Sequence, residues 1–150
     1  MTTFAELGVD QDIVESLASK GIVDAFPIQE QTIPLALPGQ DLIGQAKTGT
    51  GKTFGFGIPV VQRLGQNPEP GVKALIVVPT RALAVQVYED LDLLTSNRAT
   101  SVVAIYGGKA HEGQNDQPKA RPTVGAGTPG RLTAVPGQRH PDLSPATQLV

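Results

Sequence analysis

The chain has 150 residues, 39% of them apolar, no cysteine and two histidines, and 12 basic against 14 acidic residues leave a net charge of −2. A chain of this length suits one domain with a real core; without cysteine there are no disulfides or thiolate metal sites, His111 and His140 alone do not make a zinc site, and no global positive field advertises nucleic acid, so any such contact must be local. The longest aliphatic run, Ala74–Val78, falls far short of the ~20 residues of a membrane span, and the opening Met1-Thr2-Thr3-Phe4-Ala5-Glu6 lacks the regions of a secretion signal, so no membrane partner and a cytoplasmic location are expected.

Read along the chain, Asp10 can cap a short helix in which Ile13, Val14, Leu17 and Ala18 share a face, and Gly21 is a natural terminator. A second helix opens at Pro27, where a missing amide hydrogen costs nothing, and runs towards Leu37 with a kink at Pro34 before Pro38-Gly39 stops it. A short strand is predicted around Asp41 to Gln45, then a Gly-rich turn and a helix from about Gly51 to Leu64. Val72 to Val78 is a continuous apolar run bounded by turn residues, the pattern of a strand buried on both faces of a parallel sheet. From Thr80 to Leu94, the spacing of Leu83, Val87, Leu91 and Leu94 predicts a helix with an apolar stripe. Ser101 to Tyr106 reads as a strand and Val124 to Gly127 as a weaker one. There is no internal repeat or long linker, so residues 1–150 read as a single domain. Strands alternating with helices imply an α/β fold, with a mostly parallel sheet and helices on both faces.

The segment Ala46-Lys47-Thr48-Gly49-Thr50-Gly51-Lys52-Thr53 has phosphate-loop spacing, with Ala46 where the general pattern has its first glycine. Gly49 and Gly51 let the backbone curl so that amide hydrogens point inward, and the following helix adds its positive end to the cradle. Lys52 is expected to reach the β and γ phosphates and the Thr53 hydroxyl to ligate the accompanying Mg²⁺. Such a loop implies a nucleotide but not a reaction, which further residues must define.

Four other stretches narrow the reading. Gly21-Ile22-Val23-Asp24-Ala25-Phe26-Pro27-Ile28-Gln29, with Phe4 seventeen residues before Gly21, precedes the loop; Pro79-Thr80-Arg81-Ala82-Leu83-Ala84, Gly107-Gly108 and Thr128-Pro129-Gly130-Arg131 follow it. Taken singly, Gln29 reads equally as a solvent-facing residue on a first turn, Phe4 as a core anchor, Thr80 as a helix cap and the two glycine-bearing stretches as turns. Taken together and in this order, they resemble the first RecA-like domain of the DEAD-box RNA helicases over essentially the whole chain. The resemblance implies a P-loop core over 40–150 behind a Q-motif region at 1–39. Gln29 would pair with adenine through its amide donor and acceptor and Phe4 would stack on the base, favouring ATP over GTP. Pro79, Thr80, Arg81, Gly107, Gly108, Thr128, Pro129, Gly130 and Arg131 would hold RNA phosphates without reading bases.

The chain also departs from that family. Ala25 and Phe26 replace the usual Pro and Ser/Thr of the Q motif, and Ala82 replaces a Glu. The family's Asp-Glu-Ala-Asp box lies farther past the Thr-Pro-Gly-Arg motif than the nineteen residues that follow Arg131. Gln148-Leu149-Val150 would then begin an incomplete last strand. Without the box the γ-phosphate lacks its carboxylates, and without the second domain it lacks the arginine finger, so these 150 residues are expected to bind ATP without hydrolysing it. Thirteen of the chain's glycines and prolines fall within 107–145; Asn115 and Pro118 replace apolar helix anchors, Gly125 and Ala126 replace bulky strand residues, and Pro136-Gly137 interrupt a helix. A loosely ordered last third is the expectation. The leading function is the ATP- and RNA-binding domain of an ATP-dependent RNA helicase; the alternatives are a non-catalytic adenine-nucleotide or RNA-binding remnant and, last, a non-helicase P-loop ATPase.

Overall fold

Helix α1 (Gln11–Ala18) buries Ile13 and Leu17. Ala18 is exposed, so the apolar face is narrower than the sequence suggests. Asp10 occupies the N-cap position but its side chain caps nothing. Its carboxylate instead accepts from Arg98 Nη2 at 2.6 Å, a charge-assisted bond that outcompetes a neutral amide donor. Arg98 also grips Asp12 in two bonds, Nε to Oδ2 at 2.6 Å and Nη2 to Oδ1 at 2.9 Å, which ties α1 to the turn after the fourth helix. Helix α2 (Pro27–Ala36) opens at Pro27 and runs through Pro34, and α3 (Lys52–Leu64) starts directly after Gly51.

The computed structural model describes residues 1–69, 71–106, 109–112, 123–132 and 146–150. Strand β1 (Ala74–Val77) leads into α4 (Arg81–Leu94), whose cap is Thr80, with the hydroxyl accepting from Leu83 N at 3.2 Å. The buried stripe of α4 is Ala84, Val87, Leu91 and Leu94. Leu83 is exposed, because Ala84 takes the inward position of the first turn. Then come β2 (Val102–Tyr106), β3 (Lys109–Glu112), β4 (Val124–Gly127), the single-turn α5 (Pro129–Leu132) and β5 (Gln148–Leu149).

These strands form one sheet in the order β3-β2-β4-β1-β5, parallel throughout except for antiparallel β3. The expected mostly parallel α/β sheet is therefore present. Val124 pairs with both Ala74 and Val102, which places β4 at the centre. All four β4 residues are buried, so Gly125 and Ala126 form a central strand despite their small side chains. The core joins Phe4, Ile13, Leu17, Ile33, Ile58, Ile76, Leu91 and Leu94 from the amino-terminal segment, four helices and the sheet. Each fully buried aliphatic side chain contributes roughly 1.5–3 kcal/mol.

One predicted strand does not form. Residues 41–45 carry no strand and are exposed, Ile43 completely so. Extended backbone is held by a neighbour that completes its amide ladder, and the β1 side of the sheet ends in the two-residue β5. Gly107, Gly108, Asn115, Pro118 and Pro136-Gly137 lie outside the described residues. Among the described residues no helix is long and apolar enough to cross a membrane.

Candidate functional site

The chain between Ala46 and Lys52 is bent by two glycines in the left-handed region, Gly49 at φ +81° and Gly51 at φ +78°, a conformation that strains any L side chain. At Gly49 the demand is conformational alone, since the space around it is open. At Gly51 a methyl group would also collide with Gln29 Nε2 and come within 2.9 Å of Phe26 Cδ2. The Thr50 hydroxyl donates to the Lys47 carbonyl at 2.5 Å and the Lys52 ammonium to the Ala46 carbonyl at 2.7 Å, so the loop closes on itself. Lys47, Thr48 and Lys52 are exposed. Because Lys52 is also the first residue of α3, its charge and the positive end of a 13-residue helix coincide, a combination that attracts anions.

The two residues expected to meet a base are both buried. Gln29 is 1% exposed. Its Oε1 accepts from Phe26 N at 2.9 Å and its Nε2 donates to the Gly51 carbonyl at 2.9 Å, so the amide clasps the start of α2 to the end of the phosphate loop. The solvent-facing position is not what the structure has, because burial makes both ends of the amide find protein partners; each bond uses one of the amide's two hydrogens or one of its oxygen's two lone pairs. Phe4, also 1% exposed, packs in the core with Ile13, Leu17 and Ala25 and offers no face to a ligand; apolar burial near the amino terminus decides its place. The exposed aromatic ring beside the loop is Phe26, at 51%.

Thr53 lies in the first turn of α3 with its hydroxyl near the Asp90 carboxylate of α4. Burial, then the charge of Glu89, push the Asp90 carboxyl up, and the nearby Thr53 hydroxyl pulls the other way. Thr53 thus offers one oxygen at the mouth of the loop with a carboxylate behind it.

The remaining candidates cluster at the carboxyl ends of parallel strands. β1 and β4 are neighbours, so Pro79, Thr80 and Arg81 after the first emerge beside Thr128, Pro129, Gly130 and Arg131 after the second. Val78 N donates to the Gly127 carbonyl at 3.0 Å and ties the two segments together. Thr80 and Arg81, Pro129 and Gly130 are exposed.

Sequence reasoning missed two contributors. Asp90 gives no local signal, because its link to Thr53 crosses from one helix to the next. Phe26 was visible as a departure from a motif, but its exposure beside Gly51 was not.

Residues 26–148 match the family model described as DEAD/DEAH box helicase. The chain is 48% identical over 132 residues to the ATP-dependent RNA helicase CshA of Listeria monocytogenes, a match covering 88% of this chain and 25% of that protein. Among solved structures it is similar to the RNA helicase Prp28 from Chaetomium thermophilum bound to ADP, with a TM-score of 0.76 and 34% identity over 88% of this chain and 33% of the other. It is also similar to S. cerevisiae Dbp5 bound to RNA and ADP BeF3, with a TM-score of 0.73 and 27% identity over 88% of this chain and 33% of the other. The chain spans about a quarter of the length of the curated relatives it matches.

Proposed function

The chain belongs to the DEAD/DEAH box helicase family, and from that premise we propose that it is the ATP- and RNA-binding part of a cytoplasmic ATP-dependent RNA helicase, a single RecA-like domain whose partner domain lies in the remainder of a longer protein. The observation that carries the reading is the closed loop from Ala46 to Lys52, with two left-handed glycines and a lysine at the head of α3.

In this reading Lys47, Thr48, Gly49, Thr50 and Gly51 wrap the phosphates of ATP. Lys52 exchanges its bond to the Ala46 carbonyl for the β and γ phosphates, where a fixed positive charge in a partly dehydrated site stabilises the charge that develops in phosphoryl transfer. Mg²⁺ takes one or two protein oxygens and completes its shell from phosphate and water. The Thr53 hydroxyl fits that demand, with Asp90 positioned to orient it, and bound metal would supply counter-charge to the triphosphate. Among the described residues no group of three His, Asp or Glu forms an all-protein cage.

RNA is the proposed partner of the adjacent segments Pro79–Arg81 and Thr128–Arg131, joined by Gly107 and Gly108 in the same role. Exposed backbone and one arginine in each described segment can hold phosphates without sequence readout, which also suits a chain with a net charge of −2, where contact must be local.

Fluorescence titration with a labelled ATP in Mg²⁺ tests the assignment. Lys52→Ala is expected to weaken binding at least tenfold, since a charge-assisted contact to phosphate contributes about 1.5–3 kcal/mol. Equal affinity of Lys52→Ala and the parent chain would remove the phosphate loop from the function.

A further inference from the structure

The phosphate loop ends on a helix that is poorly suited to hold its own first turns. Between Lys52 and Pro59, α3 contains Gly55 and Gly57, and glycine and proline are the weakest formers of a helix interior. Pro59 also has no amide hydrogen, so the carbonyl four positions earlier, that of Gly55, loses its regular donor within the helix. Gly55 is buried, where a carbonyl needs a partner.

A donor comes from the neighbouring helix. The Thr32 hydroxyl of α2 reaches the Gly55 carbonyl at 3.4 Å, and its oxygen lies 3.2 Å from where a Cβ on Gly55 would be. The same hydroxyl is 2.7 Å from the Ile28 carbonyl of its own helix, so one hydrogen is shared between two acceptors. Their needs are unequal. At regular helical spacing the Ile28 carbonyl receives the Thr32 backbone amide, whereas the donor due to Gly55 is the one that proline lacks.

We propose that Thr32 is a positioning residue of the phosphate site: its hydroxyl stands in for the missing Pro59 amide and keeps the first turn of α3, with Lys52 and Thr53, in the orientation that phosphates require. The inference rests on the phosphate-loop reading above, and Thr32 itself touches no ligand. The positive end of a helix exists only while its amides stay aligned. Gly55 and Gly57 have no side chains with which to hold them, so the turn is held from outside. On one side Leu91 and Leu94 of α4 come within 3.0 and 3.3 Å of a Cβ on Gly57, an apolar and non-directional contact. On the other, Thr32 supplies a directed one, beside the Gln29 bond to Gly51. Without the hydroxyl a smaller fraction of chains has a competent first turn, and apparent affinity falls by that fraction. The effect acts on the phosphate end and is blind to the base.

The test is calorimetric titration of the chain with Mg-ATP and Mg-tripolyphosphate in a double-mutant cycle of Thr32→Val and Pro59→Ala. Valine keeps the methyl group beside Gly44 and removes the hydroxyl; alanine at position 59 returns the missing amide hydrogen. Thr32→Val is expected to weaken both ligands roughly 3- to 10-fold, and to speed hydrogen exchange in the first two turns of α3 while α1 keeps the parent's rates. Thr32→Ser, which retains the donor, is expected to stay within about twofold of the parent. In the Pro59→Ala background, Thr32→Val is expected to change affinity by less than about twofold, a rescue that lost packing at position 32 would not produce. Equal losses in the two backgrounds, or parent-like affinity in Thr32→Val, would overturn the assignment and leave the phosphate loop standing. A parent chain that binds neither ligand would overturn both.

Discussion

Replacing Gln29 by glutamate changes one atom in a clasp that is 1% exposed and turns a stable contact into a pH-dependent one. The glutamate keeps an oxygen for the Phe26 amide hydrogen, 2.9 Å away, but sets a second oxygen against the Gly51 carbonyl at the 2.9 Å now spanned by Nε2. Two facing acceptors in a buried site lose the bond and leave both groups unsatisfied, at about 1–3 kcal/mol for neutral groups and more when one is charged. Protonation relieves the clash, because a carboxylic acid can donate to Gly51. Burial and that bond to the neutral form both raise the folded-state pKa of the introduced carboxyl above its unfolded value. A raised pKa means the native contact is fully present below the unfolded glutamate pKa of about 4.3 and is lost as pH climbs through the folded one. Gln29→Glu is therefore expected to melt near the parent chain at about pH 4.3 and roughly 5–15 °C below it at pH 8, from a loss of about 2–4 kcal/mol in a domain of this size. Thermal unfolding followed by circular dichroism at both pH values reads this directly. Gln29→Met, with no donor or acceptor, serves as the control without a pH dependence of its own at this site. A Gln29→Glu melting curve that matches the parent at pH 8 would mean that the amide is not clasped.

Substitutions at three further positions, Arg98, Asp12 and Thr80, probe the fold. Arg98→Met strands the Asp10 and Asp12 carboxylates; because their side chains are 42% and 18% exposed, the loss is expected to be about 1.5–3 kcal/mol rather than the full penalty of a buried pair, measured by urea unfolding at pH 7. The Arg98 bond holds the Asp12 carboxyl below the usual range, so its contribution is present above the unfolded aspartate pKa and fades as pH falls through the folded one; the stability gap between the parent and Asp12→Asn should narrow at about pH 3, and a constant gap would contradict the pairing. Thr80→Ala removes the cap bond to Leu83 N and is expected to cost ~1 kcal/mol, or about 2–4 °C in melting temperature, with Thr80→Ser retaining most of it; no difference between the two would deny the cap.

The elements that could be read from sequence are those whose cause is local. Helix α4 is announced by a capping threonine and apolar residues at helical spacing, and the loop by glycines that alone tolerate φ +81° and +78°. Boundaries shifted by a residue or two, and Leu83 and Ala18 face water where an apolar stripe alone would bury them. Legibility ends where a residue's place depends on partners far along the chain. The Gln29 amide meets Gly51 twenty-two positions later, and Arg98 meets Asp12 across 86; no periodicity encodes either. A strand at 41–45 depends likewise on a neighbouring edge, and a favourable composition cannot supply it. Gln29 was legible as an important residue type and illegible as a buried one, while Phe4 stood open between a core anchor and a base contact until its burial was seen, because a motif fixes identity and spacing but not solvent exposure.

These placements bear on how the loop is held. In a strand-loop-helix unit the strand ordinarily anchors the entry and the helix the exit, yet here residues 41–45 are exposed and lack a ladder. Support comes instead from α2. Gln29 bonds the Gly51 carbonyl at 2.9 Å, the Thr32 hydroxyl reaches the Gly55 carbonyl at 3.4 Å, and a Cβ at Gly44 would meet Ile28 and Thr32 at 3.4 Å. One face of a single helix therefore braces the exit of the loop, the first turn of α3 and the chain just before the loop. Phe26 stands at the head of that same helix. Gln29 bonds both that head and the Gly51 carbonyl, so a ligand that pulled on Lys52 would load the helix through the same clasp.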